Sequence, residues 1–328
     1  MNFRWIAKLL EPQQEITGKK HWLVRGAVLL IWLVCLGLVF WGGWKNRNTI
    51  IPYLLRANFY RFIGVFFAYL GSLVAAAISW STIMHNLDRS ISWLKNVQIY
   101  CITLAARRLP GTIWYVGGRM VMYQQLGVAK KTVLVASSIE IVTTLVTGGL
   151  VGLVLVLVSG ASLPSQVILV IIVGAILGTL ILHPSTLKVI LKKNGRDLVE
   201  NLRLQDVLVW FVLNTLMWVL SGFMLGQMVS AFQTVSSHSL TLIIGIWALA
   251  GTAGFLTFFL PSTFGVTEIT IAILLSQLMP LPLAGTIAIL IRLTTILFEA
   301  LLSAAFYPFL IHLPLLKRVD QPNEEKNG

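Results

Sequence analysis

Six stretches of this chain are apolar for about the length that a helix needs to cross a bilayer: 24 to 44, 60 to 84, 132 to 158, 166 to 183, 207 to 229 and 283 to 311. A helix rises about 1.5 Å per residue, so a hydrocarbon core of ~30 Å takes roughly 20 residues. Inside that layer every backbone N–H and C=O has to be satisfied within the protein, which leaves helices and closed barrels. Runs this long and this continuous select helices. Composition agrees: 57% of residues are apolar and 11% charged, with a mean hydropathy of +0.84, far from an ordinary soluble domain. The expected fold is an all-α polytopic membrane protein of six to eight transmembrane helices. A single transmembrane domain spans 24–311, between an N-terminal segment 1–23 and a tail 312–328. Residues 1 to 22 mix Arg4, Lys8, Glu11, Glu15, Lys19 and Lys20 and lead to no small-residue cleavage site, so the first apolar run reads as a retained anchor.

The charges orient these spans. The connection 184 to 206 carries Lys188, Lys192, Lys193, Arg196 and Arg203, whereas 159 to 165 and 230 to 240 carry no charge. The positive-inside rule places the basic loop in the cytoplasm and the neutral loops outside, and counting along the chain leaves both termini cytoplasmic. A bacterial inner membrane is the expected location. Residues 45 to 61 oppose this count, with Lys45, Arg47, Arg56 and Arg61 on the outer side. Their mixture with Ile50, Ile51, Tyr53, Leu54, Phe59 and Tyr60 reads as an amphipathic segment lying in the interface. The net charge of +13 sits at helix ends and in loops, where it favours anionic or phosphate-bearing lipid headgroups as partners over nucleic acid. The eleven tryptophans, among them Trp41, Trp44, Trp80, Trp93, Trp114 and Trp210, read as an interfacial belt.

Two segments between the spans, 91 to 128 and 241 to 280, share a pattern. Leu109-Pro110-Gly111 is followed by Arg119 and Glu140; Leu260-Pro261-Ser262 is followed by Gly265, Glu268 and Arg292. The two copies carry opposite charges at corresponding places. Repeat-like units 60–158 and 207–311 are separated by one span, 166 to 183, so the second unit is inverted with respect to the first. Proline lacks the amide donor and glycine permits a turn, so each motif fits the tip of a re-entrant hairpin. The alternative for 241 to 260 and 264 to 279 is two full spans. Gly148 and Gly152, Gly174 and Gly178, and Gly222 and Gly226 have the GxxxG spacing of close helix contacts. They read as packing within the chain, with a homo-oligomer left open.

Glu140, Glu268, Arg292 and Glu299 fall in or beside apolar runs, where a charge near mid-bilayer costs about 2.5 to 3.5 kcal/mol on insertion scales unless it faces protein or water. Arg119 with Glu140 and Glu268 with Arg292 are the pairs that the repeat implies, either as static ion pairs or as groups that meet a ligand. Arg107-Arg108 and Lys130-Lys131 read as cytoplasmic anchors, with contact to a lipid phosphate as the alternative for either pair. The sequence holds no Gly-rich phosphate loop, HExxH helix or GxSxG elbow. Cys35, Cys101 and the five histidines are scattered, so no metal, cofactor or catalytic set is expected and the chain does not read as an enzyme.

The run Leu109-Pro110-Gly111-Thr112-Ile113-Trp114 with Gly118-Arg119, Leu126-Gly127-Val128 and Glu140 resembles the first signature of the lysylphosphatidylglycerol synthase transmembrane-region family. Leu260-Pro261-Ser262-Thr263-Phe264-Gly265-Val266-Thr267-Glu268, followed by Arg292, is similar to its second. Members generally have a Gly-rich stretch after the second proline and a basic residue before the glutamate, where Ser262, Thr263 and Thr267 stand here. The resemblance implies translocation of a polar-headed phospholipid or lipid-linked glycan between leaflets, without the soluble aminoacyl-transferase domain that some members carry. The expected site is a cavity lined by Pro110, Gly111, Pro261, Ser262 and Gly265, with Arg119 and Arg292 meeting a phosphate and Glu140 and Glu268 balancing them. The other function class open to this sequence is a membrane-embedded transferase, or its non-catalytic partner, in the synthesis of lipid-linked polysaccharide or glycolipid.

Overall fold

A computed structural model of the chain describes residues 47–108, 113–192, 202–256 and 265–310, and all the regular structure among them is helical. The elements are α1 (Arg47–Leu55), α2 (Arg61–Leu87), α3 (Trp93–Thr103) running into a 3-10 turn (Leu104–Arg108), α4 (Ile113–Gln125), α5 (Lys130–Val158), α6 (Ser165–Leu182), α7 (Pro184–Lys192), α8 (Leu204–Ser230), α9 (Ser237–Leu256), α10 (Val266–Leu275) and α11 (Leu281–Phe306), closed by a 3-10 turn (Tyr307–Leu310). Six of them, α2, α5, α6, α8, α9 and α11, are long and apolar enough to cross a membrane. The chain is an all-α polytopic membrane protein. The apolar run 24 to 44, the tips at Pro110, Gly111, Pro261 and Ser262, and the tail 312–328 lie outside the described residues.

Local chemistry sets the ends of these helices. Asp88, in extended conformation, ends α2 and accepts the Ser90 amide at 2.9 Å. Asp206 accepts the Arg203 amide at 2.8 Å and caps the start of α8. At Gly265 φ is 101°, which L side chains rarely adopt, and its amide donates to Glu268 Oε2 at 2.8 Å to start α10.

Side-chain contacts give the directions of the long helices. Along α2 and α8, Arg61 bonds Gln227 and Ser79 bonds Asn214, so one helix climbs as the other descends. Along α5 and α8 the order is shared: Thr144 bonds Asn214, and a Cβ on Gly148 would meet the Trp218 ring four residues further along both. Thus α2 is antiparallel to α8 and α5 is parallel to it. The first helix of each unit packs on the first helix of the other. The last helix of each, α5 or α11, packs on the second element of the other, α9 or α3. This exchange is the arrangement that an inverted duplication produces.

The two inserts differ in length. In the first, α3 with its 3-10 turn and α4 are each too short to span, and they return the chain so that α5 runs opposite to α2. In the second, the 20 residues of α9 reach about 30 Å and the 10 residues of α10 only about 15 Å. That segment is one full-length helix followed by a half-helix, between the two arrangements expected of it.

Packing explains most of the GxxxG positions. A Cβ on Gly222 would lie 2.9 Å from the Ile244 backbone, and one on Gly226 would lie 2.3 Å from Leu240, so α8 and α9 touch only because these residues are glycine. Gly174 faces open space and does not take part. The tryptophan belt needs correction. Trp80 and Trp210 are fully buried, whereas Trp93 and Trp114 are exposed as a belt requires. Trp80 Nε1 donates to the Tyr123 hydroxyl at 3.0 Å, which donates to Asn96 at 2.8 Å, and such a polar partner makes a deep indole tolerable. In segment 45–61, α1 contains Pro52, and Leu55, Phe59 and Tyr60 beyond it are exposed beside Arg56.

Candidate functional site

The centre of the bundle holds a cavity of about 180 Å³. It sits near the mid-height of three long helices, at Tyr69 and Ser72 of α2, Met217 and Ser221 of α8, and Ile291 to Glu299 of α11. Both repeat units supply its walls: α2, α3, the first 3-10 turn and α4 on one side, and α8 to α11 on the other. Four charged side chains line it, Arg107, Glu268, Arg292 and Glu299. Around them stand Tyr69, Tyr100, Tyr115, Trp218, Trp247 and Phe255, an amphipathic wall rather than a greasy one.

Each charge is held differently. Arg292 Nε lies 3.1 Å from Glu268 Oε1, an ion pair whose N–H is not aligned as a hydrogen bond. Since Glu268 Oε2 caps Gly265, one carboxylate ties the start of the half-helix α10 to the middle of α11. Glu299 accepts the Tyr69 hydroxyl at 2.6 Å across the α2–α11 contact. Arg107 lies with its guanidinium 5.5 Å from the Tyr115 ring and 5.6 Å from the Phe255 ring, and donates to the Tyr100 hydroxyl at 3.4 Å.

The first-repeat pair lies elsewhere. Arg119 is wholly buried and meets Glu140 at 2.5 Å, with a second contact at 3.5 Å. Its guanidinium also lies 3.8 Å from the Trp80 ring, near the rings of Tyr100 and Tyr115, and donates to Thr103 at 3.3 Å. That box is closed by aromatic faces, and neither Arg119 nor Glu140 lines the cavity. Both pairs drawn from the repeat thus exist, each joining the short helix after a break to the last helix of its unit. The cavity holds the second pair, Glu268 and Arg292.

Gly265 stands at the start of α10 without lining the cavity. Pro110, Gly111, Pro261 and Ser262 lie outside the described residues. Two charged members of the wall stand outside the set that the sequence picks out. Glu299 carried a signal, an acid in an apolar run, but nothing in its spacing pointed to Tyr69. Arg107, read as a cytoplasmic anchor, lines the cavity because the 3-10 turn brings it to the inner side.

Fold and site together define a multi-pass helical membrane protein with a charged internal cavity between two inverted units. No family model matches the chain, and no curated protein matches it.

Proposed function

We propose that this protein moves a polar-headed lipid, either a phospholipid or a lipid-linked glycan, between the leaflets of a bacterial inner membrane. Its basic loop 184 to 206 and both termini face the cytoplasm in this reading. The observation that carries it is the cavity: four ionisable side chains around a space at the mid-height of membrane-spanning helices, with walls drawn from both halves of an inverted repeat. Hydrocarbon penalises such charges strongly, and midplane sites between repeats are where transporters place them. The exposed outer faces of the helices remain apolar, with Leu169, Val170, Val212, Leu293 and Leu297 among the side chains turned outward. In this reading a headgroup passes through the cavity while acyl chains stay in lipid. The resemblance of the two LP motifs to the lysylphosphatidylglycerol synthase transmembrane-region family supports the same reading.

The test is reconstitution. Purified protein in vesicles containing a trace of headgroup-labelled phospholipid, or of a labelled lipid-linked sugar, should expose inner-leaflet label to an impermeant quencher faster than protein-free vesicles do. Arg292→Gln should slow that exchange at least tenfold per folded molecule; the melting temperature, read beside it, should fall as well, because Glu268 loses its cation and keeps only the Gly265 amide. No acceleration with any labelled lipid in the panel would sink the transport reading.

A further inference from the structure

Of the two cations that line the cavity, Arg107 stands apart from its carboxylates. Its contacts are the Tyr100 hydroxyl and the faces of Tyr115 and Phe255, all of them neutral. Among the described residues no carboxylate lies within ion-pair distance of it, whereas Arg119 has Glu140 and Arg292 has Glu268. Rings against a guanidinium face fix its plane and leave its in-plane N–H groups available. The single 3.4 Å contact to Tyr100 engages one of them, at the long limit of a hydrogen bond. Trp247 adds a second, independent donor to the same cavity: its Nε1 is buried and has no hydrogen-bond acceptor among the described residues. Buried donors of this kind are rare and call for an explanation.

The cavity's carboxylates do not answer that need. Glu268 is engaged by the Gly265 amide and by Arg292, and Glu299 by the Tyr69 hydroxyl. What Arg107 lacks, among the described residues, is an anionic acceptor within hydrogen-bond reach.

We propose that Arg107, with Trp247, forms an oxyanion subsite in this cavity whose ligand is a phosphate diester. The forked guanidinium matches two oxygens of such a group, and the indole N–H supplies a third contact from the opposite repeat. The diester is singled out by charge. Arg107 and Arg292 face Glu268 and Glu299 across the same space, which is therefore already neutral, so every added negative charge is opposed and a monoanion enters at lower cost than a dianion. The subsite therefore prefers a diester to inorganic phosphate, which carries more charge. That the diester is a lipid headgroup rests on the transport reading; that the site takes an oxyanion does not.

The experiment is calorimetric titration of the full-length protein in neutral detergent with three probes: dihexanoyl phosphatidylglycerol, inorganic phosphate and dihexanoylglycerol. Dihexanoyl phosphatidylglycerol should bind, inorganic phosphate should bind at least tenfold more weakly, and the neutral glyceride should not bind. Arg107→Gln should weaken phosphatidylglycerol binding tenfold or more, Arg107→Lys by less, and Trp247→Phe by a few-fold. Arg107→Gln should not lower the melting temperature as loss of an ion-paired arginine would, since it strands no carboxylate. If Arg107→Gln is poorly folded, the Trp247→Phe and Arg107→Lys titrations carry the test. Unchanged affinity in the Arg107 and Trp247 variants, or equal binding of the neutral glyceride, overturns the subsite. Inorganic phosphate binding as tightly as the lipid overturns the diester. Lipid exchange that survives Arg107→Gln counts against the subsite and leaves transport standing; Arg107-dependent binding without any exchange does the reverse.

Discussion

Arg119→Gln separates a structural arginine from a ligand-binding one. In the folded protein the Arg119 side chain is 1% exposed and that of Glu140 12%. Removing one partner of a buried ion pair costs about 3 to 5 kcal/mol, mostly because the remaining charge is stranded. The Trp80 face 3.8 Å away contributes to the same loss and is not counted twice. Glu140 retains some access to solvent, so the lower end applies, about 3 kcal/mol. At roughly 2 °C per kcal/mol for a chain of this size, the melting temperature should fall by about 6 °C. Arg119→Gln with Glu140→Gln should regain at least half of that, since no charge is then left alone. The swap Arg119→Glu with Glu140→Arg should not recover it, because the box of Trp80, Tyr100 and Tyr115 would then enclose a carboxylate against aromatic faces. Thermal unfolding in detergent, followed by intrinsic fluorescence and checked by size exclusion, reads all three variants. An Arg119→Gln protein that melts like wild type but has lost lipid exchange would refute the structural role and return Arg119 to the ligand.

Close helix contact and orientation each give a further expectation. Gly222→Leu should destabilise by about 1 to 3 kcal/mol through overpacking against Ile244, whereas Gly174→Leu, which meets open space, should melt like wild type in the same assay. Single cysteines at Ser162 and Ser236, in a background lacking Cys35 and Cys101, should react with an impermeant thiol reagent on intact cells, and one at Asn194 should not. Labelling at Asn194 from outside would reverse the assigned orientation.

The sequence makes the long helices legible because each span has to satisfy its backbone internally and therefore shows as an apolar run. The two ion pairs were legible for a related reason: a charge in such a run demands a partner, and the duplicated LP motifs indicated which. Sidedness was far less so. A span apolar all round has no polar face to mark its outside, so nothing in the runs distinguished buried Trp210 from exposed Trp93. Arg107 was misplaced for a similar reason, since a basic doublet at the end of a helix looks like an interfacial anchor unless the turn that follows is known. The length of α9 was obscured by Pro261, which implied two comparable halves, whereas Ser237–Leu256 is 20 residues long and Val266–Leu275 is 10. The Tyr69–Glu299 bond joins residues 230 positions apart, and no local pattern announces it.

The helix between the two units, α6, packs chiefly on α5, with α7 beyond it, and most of its surface faces outward. It lines none of the cavity. Yet α5 and α8 run in the same direction, and two membrane-spanning helices of one chain can do so only if an odd number of crossings lies between them. The contribution of α6 is therefore one of parity. The first unit ends on the side where it began, and α6 carries the chain to the opposite side, so that the same kind of unit, written a second time, is built upside down. Such a helix is constrained by length and apolarity, with Gly178 against Val146 as its point of close fit, and by little else. Exchanging it for an unrelated span of equal length that keeps this contact would preserve the bundle, whereas deleting it would turn the second unit over and dismantle every contact between the halves.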